Sequence, residues 1–95
     1  MSNNIMDAPH GMNLVVECSD GTICIGRFDL CNGFEVLMHD CDLWDPGSPD
    51  SAGNTAEQWV RETATYGVDV KHRDFKLDAH LVQSWKALGE VEKLR

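Results

Sequence analysis

The chain has 95 residues, of which 42% are hydrophobic and 25% are charged, and its formal net charge is −8 at pH 7. This length and composition predict one globular domain over residues 1–95 with a modest core. Up to residue 50, nine acidic residues accompany the single Arg27, whereas seven acidic and seven basic residues follow. Because proteins bind nucleic acids through clustered Lys and Arg, this acidic excess argues against DNA or RNA as a partner.

The distribution of apolar residues also argues against a membrane protein. No stretch of the chain approaches the roughly 20 consecutive apolar residues of a transmembrane helix. Residues 1–12 are a polar segment that ends in the turn Pro9-His10-Gly11, and its start lacks the basic and apolar regions of a signal peptide. We therefore expect a cytoplasmic protein that does not contact membranes.

Residues 13–41 predict a three-stranded antiparallel meander. The pairs Asp20-Gly21 and Asn32-Gly33 each separate two apolar-rich runs, and such pairs favour the tight turns of β-hairpins. Gly26, within the second run, predicts a bulge or bend, so the sheet should curve strongly. The three strands are expected near residues 13–19, 22–31 and 34–41.

The two turns also predict a register for the meander. A two-residue turn at Asp20-Gly21 pairs Val16 with Ile25, and the turn at Asn32-Gly33 places Cys24 directly opposite Cys41. The first hairpin then has one apolar face, which carries Leu14, Val16, Cys18, Ile23 and Ile25.

A loop and a helix are predicted after the meander. Residues 45–54 are rich in Pro and Gly and form the one clear loop. Thr55 and Gln58 fit a capping box, which starts a helix over residues 56–66, and Gly67 ends its last turn.

The remainder of the chain predicts a second helix and short strands. Asp78 is a suitable N-cap for a helix over residues 79–88, whose apolar face carries Leu81, Val82, Trp85 and Leu88. Short strands are expected near residues 68–70, 75–77 and 90–94. Together these elements predict an α+β fold: a curved antiparallel sheet, made of the three-stranded meander plus short later strands, packed with two helices.

The cysteines and histidines do not predict a catalytic or metal site. No two of Cys18, Cys24, Cys31 and Cys41 have the Cys-x-x-Cys spacing that places two thiolates on one metal. His39 and Cys41 share a strand face, but a fourth ligand is not visible. We therefore predict no metal, no cofactor and no catalytic residue, with free thiols in a reducing compartment. A Cys24–Cys41 bridge and a thiol or metal enzyme are the minor alternatives.

The stretch from Val15 to Asp29, Val-Val-Glu-Cys-Ser-Asp-Gly-Thr-Ile-Cys-Ile-Gly-Arg-Phe-Asp, resembles the opening strands of the Sm-like and SH3-like small barrels. The shared features are the Asp20-Gly21 turn, the spacing to Gly26, and Asp29 followed by Asn32. The resemblance implies a curved, barrel-like sheet. It does not imply RNA binding, because Leu88-Gly89-Glu90 replaces the late Arg-Gly signature of the family.

Two longer stretches, from Pro9 to Asp40 and from Trp59 to Val70, resemble the short orphan proteins encoded on bacterial integron gene cassettes. This resemblance implies a soluble and often oligomeric protein, from a class without an assigned function.

The sequence predicts two alternative functions. The first is a non-catalytic binding module that holds a small molecule or peptide between sheet and helices, near Phe28, Leu37, Trp59 and Trp85. The alternative is an acidic interaction module that engages a basic protein through Asp40, Asp42, Asp45 and Asp50. Three Trp residues and two amphipathic helices exceed what one small core hides, so we also expect a homodimer or higher oligomer.

Overall fold

A computed structural model describes residues 5–47 and 55–93 of the chain. In these ranges the chain forms five strands and one α-helix: β1 (Asn13–Cys18), β2 (Ile23–Cys31), β3 (Glu35–Trp44), α1 (Ala56–Tyr66), β4 (His72–Asp78) and β5 (Val82–Ala87). Short 3₁₀ segments accompany them at Ile5–Asp7, Ala79–Leu81 and Leu88–Glu90. The strands form a single antiparallel sheet in the order β4-β3-β2-β1-β5, and this sheet is not closed.

The prediction of a sheet packed with two helices is wrong. Residues 79–88, predicted as the second helix, form one 3₁₀ turn followed by β5, so α1 is the one α-helix in the described ranges. Asp78 does cap this turn, because its Oδ1 accepts a hydrogen bond of 2.9 Å from the His80 N–H. The backbone is already extended at Val82, and the chain continues as a strand that pairs with β1.

A β-bulge explains why β5 imitates a helix in the sequence. The register between β1 and β5 shifts between Glu17 and Cys18, so that Trp85 pairs with Val16 while Val82 pairs with Cys18. Val82 and Trp85 therefore both pack against the same core although they are three residues apart. A spacing of three is also the spacing of a helix face, and the apolar pattern alone does not distinguish the two structures.

Other predictions in the second half also need correction. Residues 68–70 have no regular structure, and the predicted strand near residues 75–77 is the C-terminal part of the longer β4. Of the predicted terminal strand, the first residue belongs to a 3₁₀ turn, residues 91–93 have no regular structure, and residue 94 lies outside the described residues. Residues 48–54 of the predicted loop also lie outside them.

The turn between β1 and β2 contains three residues instead of the predicted two. The Cys18 N–H donates to the Thr22 carbonyl at 2.9 Å, and the Gly21 N–H donates to the Cys18 carbonyl at 3.0 Å. Gly21 has a φ of +92°, the left-handed conformation that closes a three-residue hairpin loop. Asp20 supports the turn, since its Oδ1 accepts from the Thr22 N–H at 3.0 Å.

The extra turn residue changes which side chains share a face. Val16 pairs with Cys24 rather than with Ile25, a shift of one residue from the predicted register. A one-residue shift exchanges the two faces of a strand relative to its partner. Ile23 and Ile25 consequently lie with Val15 on the opposite face from Val16.

The hairpin of β2 and β3 contains the predicted bulge at Gly26. The register shifts between Ile25 and Arg27 and shifts again between Phe28 and Leu30. These shifts pair Cys24 with Leu43 instead of Cys41, which corrects the predicted register. Cys41 lies against Gly26 instead, where an added Cβ would be 2.3 Å from the Cys41 Cβ.

The sheet curls so strongly that its two edge strands are linked by three residues. β4 and β5 lie at opposite edges, yet Ala79–Leu81 connects them directly. The curl encloses the larger core, which we call the inner face, and Ile5 and Ala8 of the N-terminal segment pack into it. Its fully buried side chains include Leu14, Val16, Cys24, Val36, Met38 and Cys41.

The helix α1 packs on the other side of the sheet, which we call the outer face. Val60 of α1 contacts a cluster formed by Val15, Ile23 and Ile25, and Trp59 packs at its edge. The helix has the predicted bounds: Thr55 Oγ1 accepts from the Gln58 N–H at 3.1 Å at its start, and Gly67 ends it. Among the residues that the structure describes, no helix is long and apolar enough to cross a membrane.

Candidate functional site

The outer face contains a cleft of about 380 Å³ between α1, the sheet and the segment that follows β5. Its apolar lining comes from Ile23 of the sheet, Ala56 and Val60 of the helix, and Val91 of the C-terminal segment. The charged lining consists of four glutamates, one lysine and one arginine: Glu17, Glu57, Glu90, Glu92, Lys86 and Arg61. We call this feature the outer cleft.

The register of β1 and β5 places two of the charged side chains at the outer cleft. Lys86 pairs with Val15 and Ser84 pairs with Glu17, so these positions alternate with the inner-face positions Val16 and Trp85. The Ser84 hydroxyl donates to Glu17 Oε2 at 3.3 Å, which orients the carboxylate.

Arg61 joins α1 to the C-terminal segment and closes one side of the outer cleft. Its Nε donates to the Glu92 carbonyl at 3.3 Å, and its Nη2 donates to the Lys93 carbonyl at 3.4 Å. The guanidinium also lies 3.6 Å from Glu92 Oε1. Because Arg61 is committed to these partners, Lys86 is the cation of the cleft that no ion pair joins to a carboxylate within residues 5–47 and 55–93.

A second polar cluster crosses β2, β3 and β4 at His39. Its Nε2 lies 2.9 Å from Asp29 Oδ2, and its Nδ1 lies 2.8 Å from Asp74 Oδ1. His10 reaches the same strand, with its Nδ1 2.7 Å from the Asp29 carbonyl oxygen and 3.2 Å from Asp29 Oδ1. Arg27, which pairs with His39 across the strands, lies 3.8 Å from Asp40.

The geometry at His39 favours its charged form. A carboxylate oxygen only accepts hydrogen bonds, so each ring nitrogen must donate, and this requires the doubly protonated imidazolium. The pKa of His39 is accordingly raised above its ordinary value, first by the hydrogen bond to Asp29 and then by the one to Asp74. His39 therefore acts as a cationic link between three strands, with both nitrogens already occupied.

The cysteines are free, and three of the four are buried. Cys24 and Cys41 lie together on the inner face, where burial and the hydrogen bond to Cys41 raise the pKa of the Cys24 thiol. Burial and the charge of Asp20 raise the pKa of Cys18 to about 11. Both conditions work against a thiolate nucleophile at neutral pH. In the described residues, no group of three or more His, Cys, Asp or Glu side chains is arranged to hold a metal ion.

The structure does not bring together the four residues predicted to bind a ligand. Phe28 and Trp85 lie on the inner face and belong to its packing. Trp59 packs at the edge of the outer cluster beneath α1, and Leu37 of β3 is half-buried and belongs to neither cluster. None of these residues lines the outer cleft.

The predicted acidic surface is also divided. Asp42 is only 8% exposed and is held by the Leu43 N–H at 2.9 Å and by Lys71 Nζ at 3.5 Å. Asp45 is exposed and accepts from the Gly47 N–H at 2.9 Å, while Asp40 is exposed beside Arg27. Asp50 lies outside the described residues. A basic partner could therefore reach Asp40 and Asp45 but not Asp42.

The sequence contained part of the signal for the outer cleft. Ala56 and Val60 lie on the apolar helix face that the sequence predicted. Glu17 and Lys86 depend on the pairing of β1 with β5, and β5 was predicted to be helical. No protein-family model matches this chain, and a search of curated proteins gives no match either.

Proposed function

We propose that this protein is a non-catalytic binding module that holds a small organic molecule in the outer cleft. The single observation that carries the proposal is the cleft itself, a concave space of about 380 Å³ with an apolar floor and a charged rim. Ligand sites commonly have volumes of about 300–1,000 Å³, apolar linings and a few polar groups that fix orientation. The volume lies at the lower end of this range and favours a small molecule over a peptide.

The lining supports a ligand with an apolar body and polar ends. Ile23 and Val60 offer an apolar contact surface, and both are buried parts of the outer cluster, so the floor is rigid. Lys86 offers a positive charge that no carboxylate within the described residues neutralises, whereas Glu17 is held in place by Ser84. An aromatic ring that carries a carboxylate or an amine matches this combination of floor and rim.

The curled sheet also supports the resemblance to small barrels, because its edge strands meet through Ala79–Leu81. The acidic lining of the cleft and the net charge of −8 argue, as the sequence does, for a ligand other than nucleic acid. Asp42, held inside the structure, makes the alternative of an acidic docking surface less favourable.

A ligand screen with two matched tryptophan variants tests the proposal. The probes are fragment-sized aromatic carboxylates, aromatic amines and neutral aromatics, and the measurement is the shift in melting temperature of the full chain. Ala56→Trp fills the outer cleft from α1, whereas Gln58→Trp adds the same side chain to an exposed position outside the cleft lining. We expect at least one probe class to stabilise the wild type and Gln58→Trp but not Ala56→Trp.

Two results would contradict the proposal. One is that no probe class shifts the melting temperature at millimolar concentration; the other is that the shift survives in Ala56→Trp while that variant keeps its far-UV circular dichroism. Lys86→Gln adds a finer test, because it should weaken carboxylate probes more than amine probes if the Lys86 amine anchors the ligand.

A further inference from the structure

A second surface, at the other end of the β2–β3 hairpin, combines an exposed aromatic ring with an apolar cleft. Phe34 lies at the hairpin turn and is 74% exposed, and Met6 of the N-terminal segment is 54% exposed. Between them is a cleft of about 240 Å³. Its lining is mainly apolar and consists of Ile5, Met6, Cys31, Gly33, Ala79, His80 and Val82. We call this surface the hairpin-end patch.

Phe34 is held in its exposed position by the turn. The Asn32 side-chain oxygen accepts from the Phe34 N–H at 2.9 Å and from the Glu35 N–H at 2.8 Å. The Phe34 carbonyl in turn accepts from the Ala79 N–H at 2.9 Å, which fixes the hairpin to the link between β4 and β5. A ring presented on a fixed backbone loses little conformational freedom when it is buried by a partner.

The patch is complementary to itself. Phe34 projects beside a cleft that is large enough for a phenyl ring, since an apolar cavity of about 150 Å³ holds benzene. Because projection and cleft are neighbours on one surface, a two-fold axis through the patch lets the ring of each copy enter the cleft of the other. His80 borders both this cleft and a neighbouring one that contains Glu35 and Asp78. The same axis can therefore bring a ring N–H of one copy to the carboxylates of the other.

We propose that the protein forms a two-fold symmetric homodimer through the hairpin-end patch, in which Phe34 of each copy enters the cleft beside Met6, Cys31 and Val82 of the other. Each chain contributes the ring and the cleft, so one substitution affects the interface twice. Cys31 lines the cleft and becomes covered when the dimer forms.

Sedimentation velocity over a concentration series tests this proposal. Phe34→Ser removes the ring, and Tyr66→Ser is the matched control, because Tyr66 is an aromatic residue 79% exposed at the end of α1. We expect the wild type and Tyr66→Ser to dimerise equally, and the dissociation constant of Phe34→Ser to rise at least about 100-fold, since central aromatic residues dominate such interfaces. Met6→Gln, on a different element, should weaken the dimer as well.

Alkylation of Cys31 shows whether the dimer uses this surface. Of the four cysteines, Cys31 is the one that is not buried, so it should provide the fast-reacting thiol of the native chain. Its rate should fall as the wild-type concentration rises through the dissociation constant and should stay constant in Phe34→Ser. A wild type that remains monomeric at hundreds of micromolar, or a dimer that leaves the Cys31 rate unchanged, would overturn the proposal. The former result would leave the patch to a different partner.

Discussion

Gly26 of β2 lies against Cys41 of β3, and its replacement by alanine tests the curl of the sheet directly. A Cβ at position 26 would lie 2.3 Å from the Cys41 Cβ, 2.8 Å from the Cys41 Cα and 3.0 Å from the His39 carbonyl oxygen. Carbon atoms in contact normally lie about 3.5–4.0 Å apart. Two of the three obstructing atoms belong to the backbone of β3, so a change of rotamer does not relieve the overlap.

The cost of Gly26→Ala should therefore lie at the upper end of the range for overpacked cores. Such substitutions cost about 1–3 kcal/mol, and the need to move a strand backbone argues for about 3 kcal/mol or more. Against a total stability of about 5–15 kcal/mol, this is a large fraction. At about 4–8 °C per kcal/mol for a domain of this size, the melting temperature should fall by about 12–24 °C.

Urea unfolding followed by tryptophan fluorescence and far-UV circular dichroism measures this loss. Gly89→Ala is the matched control, because nothing lies within 4 Å of its added Cβ and the backbone there is not left-handed. The control should stay within about 0.5 kcal/mol of the wild type. A free energy of unfolding for Gly26→Ala that equals that of the control would show that β2 and β3 do not meet at Gly26 as described.

Two further predictions concern the polar cluster and the helix start. Folding raises the pKa of His39 through Asp29 and Asp74, so its stabilising contribution is complete below the unfolded pKa of about 6.5 and is lost as pH rises past the folded value. The stability advantage of wild type over His39→Gln should therefore shrink with rising pH in urea titrations, and a constant advantage would contradict the charged link. Thr55→Ala should cost about 1 kcal/mol in the same assay by removing the N-cap. Gln58→Ala should cost much less, since the bond to Thr55 uses the main-chain N–H of residue 58; equal losses would indicate that the Gln58 side chain also caps the helix.

The elements that the sequence predicted well are those defined by local chemistry. Thr55 and Gly67 bound α1 because a hydroxyl cap and a left-handed glycine act within a single turn. Asp20-Gly21 and Asn32-Gly33 mark both hairpin turns for the same reason, and Gly21 and Gly33 have φ values of +92° and +94°. Gly26 marked a bulge because a missing side chain allows close approach of the next strand.

The failures arise from pairing between distant strands. A dipeptide such as Asp20-Gly21 does not determine whether the loop has two or three residues, and one residue decides which face Ile25 occupies. Likewise, Val82 and Trp85 share a face through a bulge opposite β1, a partner more than 60 positions earlier in the chain. The outer cleft depends on both outcomes, because Ile23 reaches it through the first and Lys86 through the second.

The assignment of residues 82–87 as a strand has a test whose sign depends on the answer. Lys86 is exposed on β5, and both Lys86→Thr and Lys86→Ala remove its amine, so any effect of the charge cancels between the two variants. In a strand threonine is favoured over alanine by a few tenths to about 1 kcal/mol, whereas in a helix alanine is favoured by about 0.7 kcal/mol. We therefore expect Lys86→Thr to have the higher free energy of unfolding in urea. If Lys86→Ala is the more stable variant, the segment is helical, and the pairing that carries Lys86 and Glu17 to the outer cleft does not exist.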